Sequence, residues 1–217
     1  MNEMDTGAAL AQRAILKAHR KRLWGPFIAA ARQYALIRPH DRILVEVELD
    51  PSSVLLGRLM AELQRHSEFP FEVVFTAEKD LDALQPFFPE GLLNPHELDG
   101  AAFTARTSLE CMDDAAETVL RGMLLEGKLQ GMRPMEPPLT GTARLIRPLL
   151  RIRRRDIALF GRYCRLEAMP ISNGDPGILG LMEELEDENP EITQNIFQAT
   201  HLLHLDTMIW EAEDGGR

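Results

Sequence analysis

The chain has 217 residues, 45% hydrophobic and 6% aromatic, enough for the core of one α/β domain with appendages, and it reads as globular and soluble. No apolar run approaches the roughly 20 residues of a membrane span, and the opening MNEMDTGAAL lacks the basic start and apolar core of a signal peptide, so a cytoplasmic protein is expected. The net charge of −10 is zoned, with +3 over residues 1–60, −9 over 61–140, +7 over 141–165 and −11 over 166–217.

Taken in chain order, the apolar spacing of Leu10, Ala14, Leu16, Leu23, Phe27 and Tyr34 predicts one or two helices over residues 8–36, broken near Trp24-Gly25-Pro26. Residues 43–47 predict a first strand, 51–66 a helix and 71–76 a second strand, which together make a right-handed parallel unit. Residues 81–98, with Pro86, Pro89, Gly91 and Pro95, read as a loop, and a third strand comes next near 101–109. Asp113 or Asp114 is expected to cap a helix that runs to Glu126 and stops at Gly127. Residues 132–141 read as a Pro-rich connection, Leu145-Ile146 as a short strand, and 153–165 as a helix. From Pro176 the chain reads as helical, with Ile192, Ile196, Ala199, Leu203 and Trp210 on one face and a break at Asn189-Pro190.

The passage from strand to helix at Glu48, Leu49, Asp50, Pro51, Ser52 and Ser53 sits where many α/β proteins grip a phosphate. It has no glycine and two carboxylates. Asp50 followed by Pro51 fits an N-cap followed by the first helical residue, so the carboxylate is expected to occupy the donors that an anion would use. Cys111 and Cys164 are the only cysteines, too few for a Cys-rich metal cage, and both read as buried. No metal site is expected: His201 and His204, with Asp206 nearby, lie one helical turn apart but lack a third convergent ligand and read as a solvated face. Ser52 and Ser53 have no histidine at a spacing that suggests a triad.

All eight cations of the third zone are arginines, and planar guanidinium forks suit phosphates and carboxylates alike. Two readings stand side by side. The arginines are neutralised within the molecule by the tract Glu183, Glu184, Glu186, Asp187 and Glu188, or Arg147, Arg151, Arg153, Arg154 and Arg155 bind an external anion such as RNA.

Three segments resemble a known family in the same order. HRKRLWGPFIAAARQYALIRPHDRILVEV resembles the N-terminal helix and first strand of the tRNA 2-thiocytidine synthetases, ATP pyrophosphatases of the PP-loop class related to tRNA lysidine synthetases. DDAAETVLRGMLLEGKLQGMRP is similar to that family's DDxxETxxxNLxxGGKLxxMxP segment, matching at Asp113, Asp114, Glu117, Thr118, Gly127, Lys128, Leu129, Met132 and Pro134. LIRPLLRIRRRDIALFGRYCRLEAMPI resembles its IRPLxxxxExDIxxYAxxxxxPI segment, matching at Arg147, Pro148, Leu149, Asp156, Ile157, Pro170 and Ile171.

The resemblance implies an α/β fold with a Rossmann-like parallel sheet and flanking N- and C-terminal helices. Its domains would be a helical region over residues 1–40, a PP-loop-like domain over 41–172 and a helical extension over 173–217. It also implies ATP, magnesium, an iron–sulfur cluster and a tRNA substrate. Here the sequence departs. Of the family's SGGKDS loop only the final serine survives, as Ser53; the central CxxC is missing; Ile171-Ser172-Asn173-Gly174 stands where a later cysteine is expected; and Glu110 and Cys111 replace paired histidines. The expectation is a protein that holds no cofactor and acts as a non-catalytic binding or scaffolding relative, with tRNA or a protein as partner and a homodimer as one arrangement. The alternatives are an active ATP-dependent tRNA-thiolating enzyme and a regulatory partner of an active paralogue.

Overall fold

The computed structural model describes residues 6–98, 102–138, 141, 143–167 and 174–202. The chain opens with α1 (Gly7–Arg13), whose Thr6 hydroxyl caps the Ala9 N–H, and continues through a π-helical turn over Ala14–Ala18. After a turn at residues 19–23 comes α2 (Trp24–Gln33). The break thus falls near Trp24-Gly25-Pro26, immediately before it. Pro26 lies in the first turn of α2, where a missing N–H breaks no helical bond.

The strand–helix–strand unit forms where the apolar pattern placed it, as β1 (Arg42–Glu46), α3 (Pro51–His66) and β2 (Glu72–Thr76). The stretch read as loop contains a short α4 (Leu81–Leu84) and a 3-10 turn over Pro95–Leu98. Then come β3 (Ala105–Thr107), α5 (Met112–Leu125), β4 (Met135–Glu136), β5 (Arg144–Ile146), α6 (Arg154–Tyr163), α7 (Pro176–Glu188) and α8 (Ile192–Ala199). The sheet order is β2-β1-β3-β5-β4. All neighbours are parallel except β4, which runs antiparallel to β5.

The cap of α5 differs from expectation in an informative way. Cys111 is the N-cap, and Asp114, three positions on, accepts its N–H at 2.8 Å. Asp113 is thereby left to accept the Arg154 N–H at 2.7 Å. At the other end Gly127 takes φ +65°, and the Lys128 N–H closes on the Gly122 carbonyl at 2.8 Å, a turn that favours glycine.

One large core joins Ala11, Ile15, Leu23 and Phe27 of the N-terminal segment to Ile43, Val45, Leu55, Leu59 and Phe160, so the leading helices share the core of the sheet. Two smaller clusters attach α7 and α8 to α5: Met112, Ala115, Leu150 and Phe197 in one, Ala116, Ile178 and Met182 in the other. No described helix is long and apolar enough to cross a membrane.

Candidate functional site

In an open parallel sheet the crevice forms where neighbouring strands lead away in opposite directions, beyond their C-terminal ends. Here that point lies between β1 and β3, since α3 carries the chain from β1 outward to β2 while β3 lies on the other side. A cavity of about 430 Å³ occupies it, lined by Glu46, Glu48 and Ser53 from the β1–α3 passage, Thr107, Ser108, Leu109 and Glu110 after β3, and Asp114 and Glu117 of α5. Five of these residues are carboxylic and none is basic. Across the Glu46–Asp50 segment a second cavity of about 450 Å³ continues the character with Glu78 and Asp80 against the single Lys79.

The start of α3 has no donor to offer an anion. Pro51 lacks an N–H, the Ser52 and Ser53 N–H groups donate to Asp50 Oδ1 at 2.7 and 3.2 Å, and the Val54 N–H donates to the Asp50 carbonyl at 3.0 Å. The Ser53 hydroxyl is also committed: it donates to the Glu46 carbonyl at 3.3 Å and accepts the Glu48 N–H at 2.8 Å. Helix α6 closes over the passage. A Cβ at Gly161 would sit 2.7 Å from the Pro51 ring, so glycine there is what permits the approach.

Asp50 is buried, and its Oδ2 has no protein partner. Burial raises its carboxyl above the ordinary 3.8, and Glu48 adds to that, against the lowering effect of the Ser53 and Ser52 N–H bonds. The folded state then holds its proton more tightly than the unfolded state, so this group's contribution to stability falls as pH rises from about 4 through the folded value. Asp50→Asn keeps an acceptor for the cap and removes that titration. Its stability relative to wild type is expected to improve with rising pH across this window in urea unfolding, whereas parallel pH profiles would mean that Asp50 titrates normally.

The arginines of the third zone are spread through the structure. Arg144 forks onto Asp41, with Nη1 to Oδ1 at 3.0 Å and Nη2 to Oδ2 at 2.5 Å. Burial opposes ionisation of Asp41, but the Arg144 fork with the Arg38 N–H and Thr104 hydroxyl holds the carboxyl below its ordinary range. Arg147 meets Glu136 at 2.7 Å and Glu110 at 3.4 Å. Arg153 contacts Asp113 and Glu186, and Arg154 contacts Asp114. Of the five candidate anion-binding residues, Arg151 and Arg155 have uncharged partners, Gln33 and the Pro190 carbonyl. Three of these six carboxylate partners, Glu110, Asp113 and Asp114, come from α5 and its approach, and one, Glu186, comes from the acidic tract of α7.

Cys111 and Cys164 are buried, 2% and 4% exposed. Burial drives both thiols up, Cys111 well above its ordinary value and Cys164 to about 12. His201 is less free than its helical spacing suggested: its Nε2 lies 2.7 Å from the Tyr34 hydroxyl and its ring stacks on Tyr34. His204, Asp206, Leu203 and Trp210 lie outside the described residues, as do Pro170 and Ile171–Asn173 of the resemblance.

No family model matches the chain. The tRNA-cytidine(32) 2-sulfurtransferase of Anaeromyxobacter sp. (strain Fw109-5) is 25% identical over 242 aligned positions that cover 86% of this chain and 79% of that protein. The enzyme of the same name from Geobacter sulfurreducens is 24% identical, covering 78% and 85%. Among solved structures, the U34-tRNA thiolase NcsA from Methanococcus maripaludis, described with its 4Fe-4S cluster, superposes with a TM-score of 0.59 at 13% identity over 88% of this chain and 81% of that one. That likeness concerns the fold. The chain is thus similar in sequence to tRNA-cytidine(32) 2-sulfurtransferases and shares the fold of a tRNA thiolase, with a mostly parallel sheet that opens a crevice at its switch point.

Proposed function

We propose that this chain is a tRNA-binding member of the family that does not carry out ATP-dependent thiolation and acts as a binding or scaffolding protein. The observation that supports this is the commitment of the backbone N–H groups in the first turn of α3 to Asp50, with Pro51 offering none, beside a crevice lined by five carboxylates of which Glu110 and Asp114 have arginine partners. A triphosphate placed there would meet like charge worth roughly 1 kcal/mol per pair at 4 Å in water and about 4 at an effective dielectric of 20. No backbone N–H at the start of α3 would offset it.

An iron–sulfur cluster does not fit this chain's own thiols. Cluster ligation needs several thiolates, and the two cysteines are buried with their thiols pushed up. Among the described residues no group of three His, Cys, Asp or Glu is arranged to hold a metal ion.

Calorimetry with ATP and magnesium is expected to give no measurable heat of binding, and protein reconstituted anaerobically with iron and sulfide is expected to stay colourless. A gel shift with bulk tRNA at low salt is expected to show a retarded complex. A dissociation constant for ATP in the low micromolar range would overturn the reading in favour of an active enzyme. Failure to retard tRNA would remove the RNA-binding part.

A further inference from the structure

We propose that a groove between α2 and the end of α3 takes unpaired nucleotides of RNA, an inference that rests on the RNA-binding reading above and adds the surface that carries it. The groove has a volume of about 690 Å³, within the roughly 300–1,000 Å³ typical of ligand sites. It lies at the N-terminal edge of the sheet, the end away from the acidic crevice, because the connection from the end of α3 to the start of β2 forms one of its walls.

Much of its lining is aromatic and aliphatic. Trp24 and Ile28 of α2 face Leu63 and His66 of α3, with Phe69 and Phe71 beyond. Trp24 meets the His66 ring edge-on at 6.1 Å, and Phe69 lies 6.0 Å from Phe71 with 37% of its surface exposed. Aromatic side chains that keep a face or edge in solvent are the platforms on which single-stranded bases stack, at little cost in sequence preference.

The charge around the groove favours a polyanion over other apolar occupants. Residues 13–42 hold eight lysines and arginines against one acidic residue, Asp41, on a chain of net charge −10. Asp41 is taken by Arg144, Arg22 pairs with Asp156, and Arg42 pairs with Glu72. Lys17, Arg20, Lys21 and Arg32 are exposed, and among the described residues none of them pairs with a carboxylate. Arg20 and Arg32 line the groove itself, against the single carboxylate of Glu68. Half of the third-zone cations, Arg144, Arg147, Arg153 and Arg154, are taken by internal carboxylates; Lys17, Arg20, Lys21 and Arg32, among the described residues, are not. A base seated against Trp24 would leave its flanking phosphates within the field of Arg20 and Arg32.

The chain has two tryptophans, so Trp210→Phe leaves Trp24 as the sole emitter in an otherwise complete protein. Titration with oligouridylate and with tRNA is expected to quench Trp24 in step with the rise in anisotropy of the labelled RNA. Arg20→Ala/Arg32→Ala is expected to weaken binding at least about tenfold and, at about 0.7 per phosphate released from a single strand, to flatten the log–log salt slope by roughly 1.4. Its melting temperature is expected to stay put, because both side chains are exposed. If RNA binds but Trp24 emission, affinity and slope are all unchanged, the groove is wrong and the RNA-binding reading stands. If no RNA binds at low salt, both fall. If a synthetic peptide of residues 203–217, acidic and with its tryptophan replaced by phenylalanine, quenches Trp24 where RNA does not, the groove belongs to an acidic peptide and the proposal is overturned.

Discussion

Arg153→Ala is expected to cost about 3–5 kcal/mol of stability, the range for breaking a buried ion pair by removing one partner. For a chain of this size that lowers the melting temperature by roughly 6–20 °C. The Arg153 side chain is 6% exposed and contacts two carboxylates from different elements, Asp113 at the start of α5 and Glu186 of α7, while its own position caps α6. Without it, Asp113 keeps, among the described residues, the Arg154 N–H and the weak Cys111 thiol, and Glu186 keeps the Thr193 hydroxyl. Three helices lose a shared tie. Arg155→Ala is the control: Arg155 is exposed, its one polar partner among the described residues is the Pro190 carbonyl at 3.5 Å, and its loss is expected to stay within about 0.5 kcal/mol. RNA affinity is expected to be the same in both variants under conditions where both are folded. Urea unfolding and a gel shift on the same preparations decide it. An Arg153→Ala protein that melts with wild type but releases RNA would make Arg153 a ligand of the nucleic acid.

The contrast shows what a sequence can and cannot carry about charge. Periodicity and turn chemistry were legible: α3 begins at Pro51 behind an Asp50 cap and ends at His66 because both signals are local. Charge density was legible as density alone. Eight arginines within 25 residues read as a patch, but whether each meets a carboxylate depends on pairings over long separations, such as Arg144 with Asp41 or Arg154 with Asp114. The N-terminal cations include a run as long, Arg20-Lys21-Arg22 against Arg153-Arg154-Arg155, but they spread over residues 13–42, and several of them stay exposed. Strand β4 was invisible for a different reason. Two residues between prolines carry no period, and Met135-Glu136 becomes a strand only because β5 offers an unpaired edge. The cap of α5 was misplaced by two to three residues because a cysteine is a poor cap, and Asp114 serves from inside the helix instead.

An equally large loss is expected from Arg58→Met, again about 3–5 kcal/mol, and here a second substitution separates the charge from the packing. Arg58 and Glu62 lie one turn apart on α3 with side chains 1% and 0% exposed. Arg58 donates to the Phe87 carbonyl at 3.0 Å and to Glu90 at 2.8 Å, and it meets Glu62 at 3.3 Å. Glu62 also accepts from Arg65 at 3.1 Å and from Gln12 at 3.2 Å. Methionine fills much of the volume left by arginine, so the cost of the single change comes mainly from Glu62, which stays wholly buried with the half-exposed Arg65, the Gln12 amide and, at 3.9 Å, the His66 ring around it. Glu62→Leu alone strands the guanidinium in the same way, relieved in part by Glu90. Changing both removes both orphans. Glu90 is partly exposed and keeps Arg65 at 2.6 Å, so it loses little. Replacing a buried pair by apolar residues of similar volume is often neutral, so Arg58→Met/Glu62→Leu is expected to be more stable than either single variant, with a coupling of about 0.5–3 kcal/mol, the range seen for residues in contact. Chemical unfolding of the four proteins closes the cycle. If the losses simply add, the pair is not coupled, and the buried network on α3 holds the fold through the Phe87 and Glu90 contacts alone.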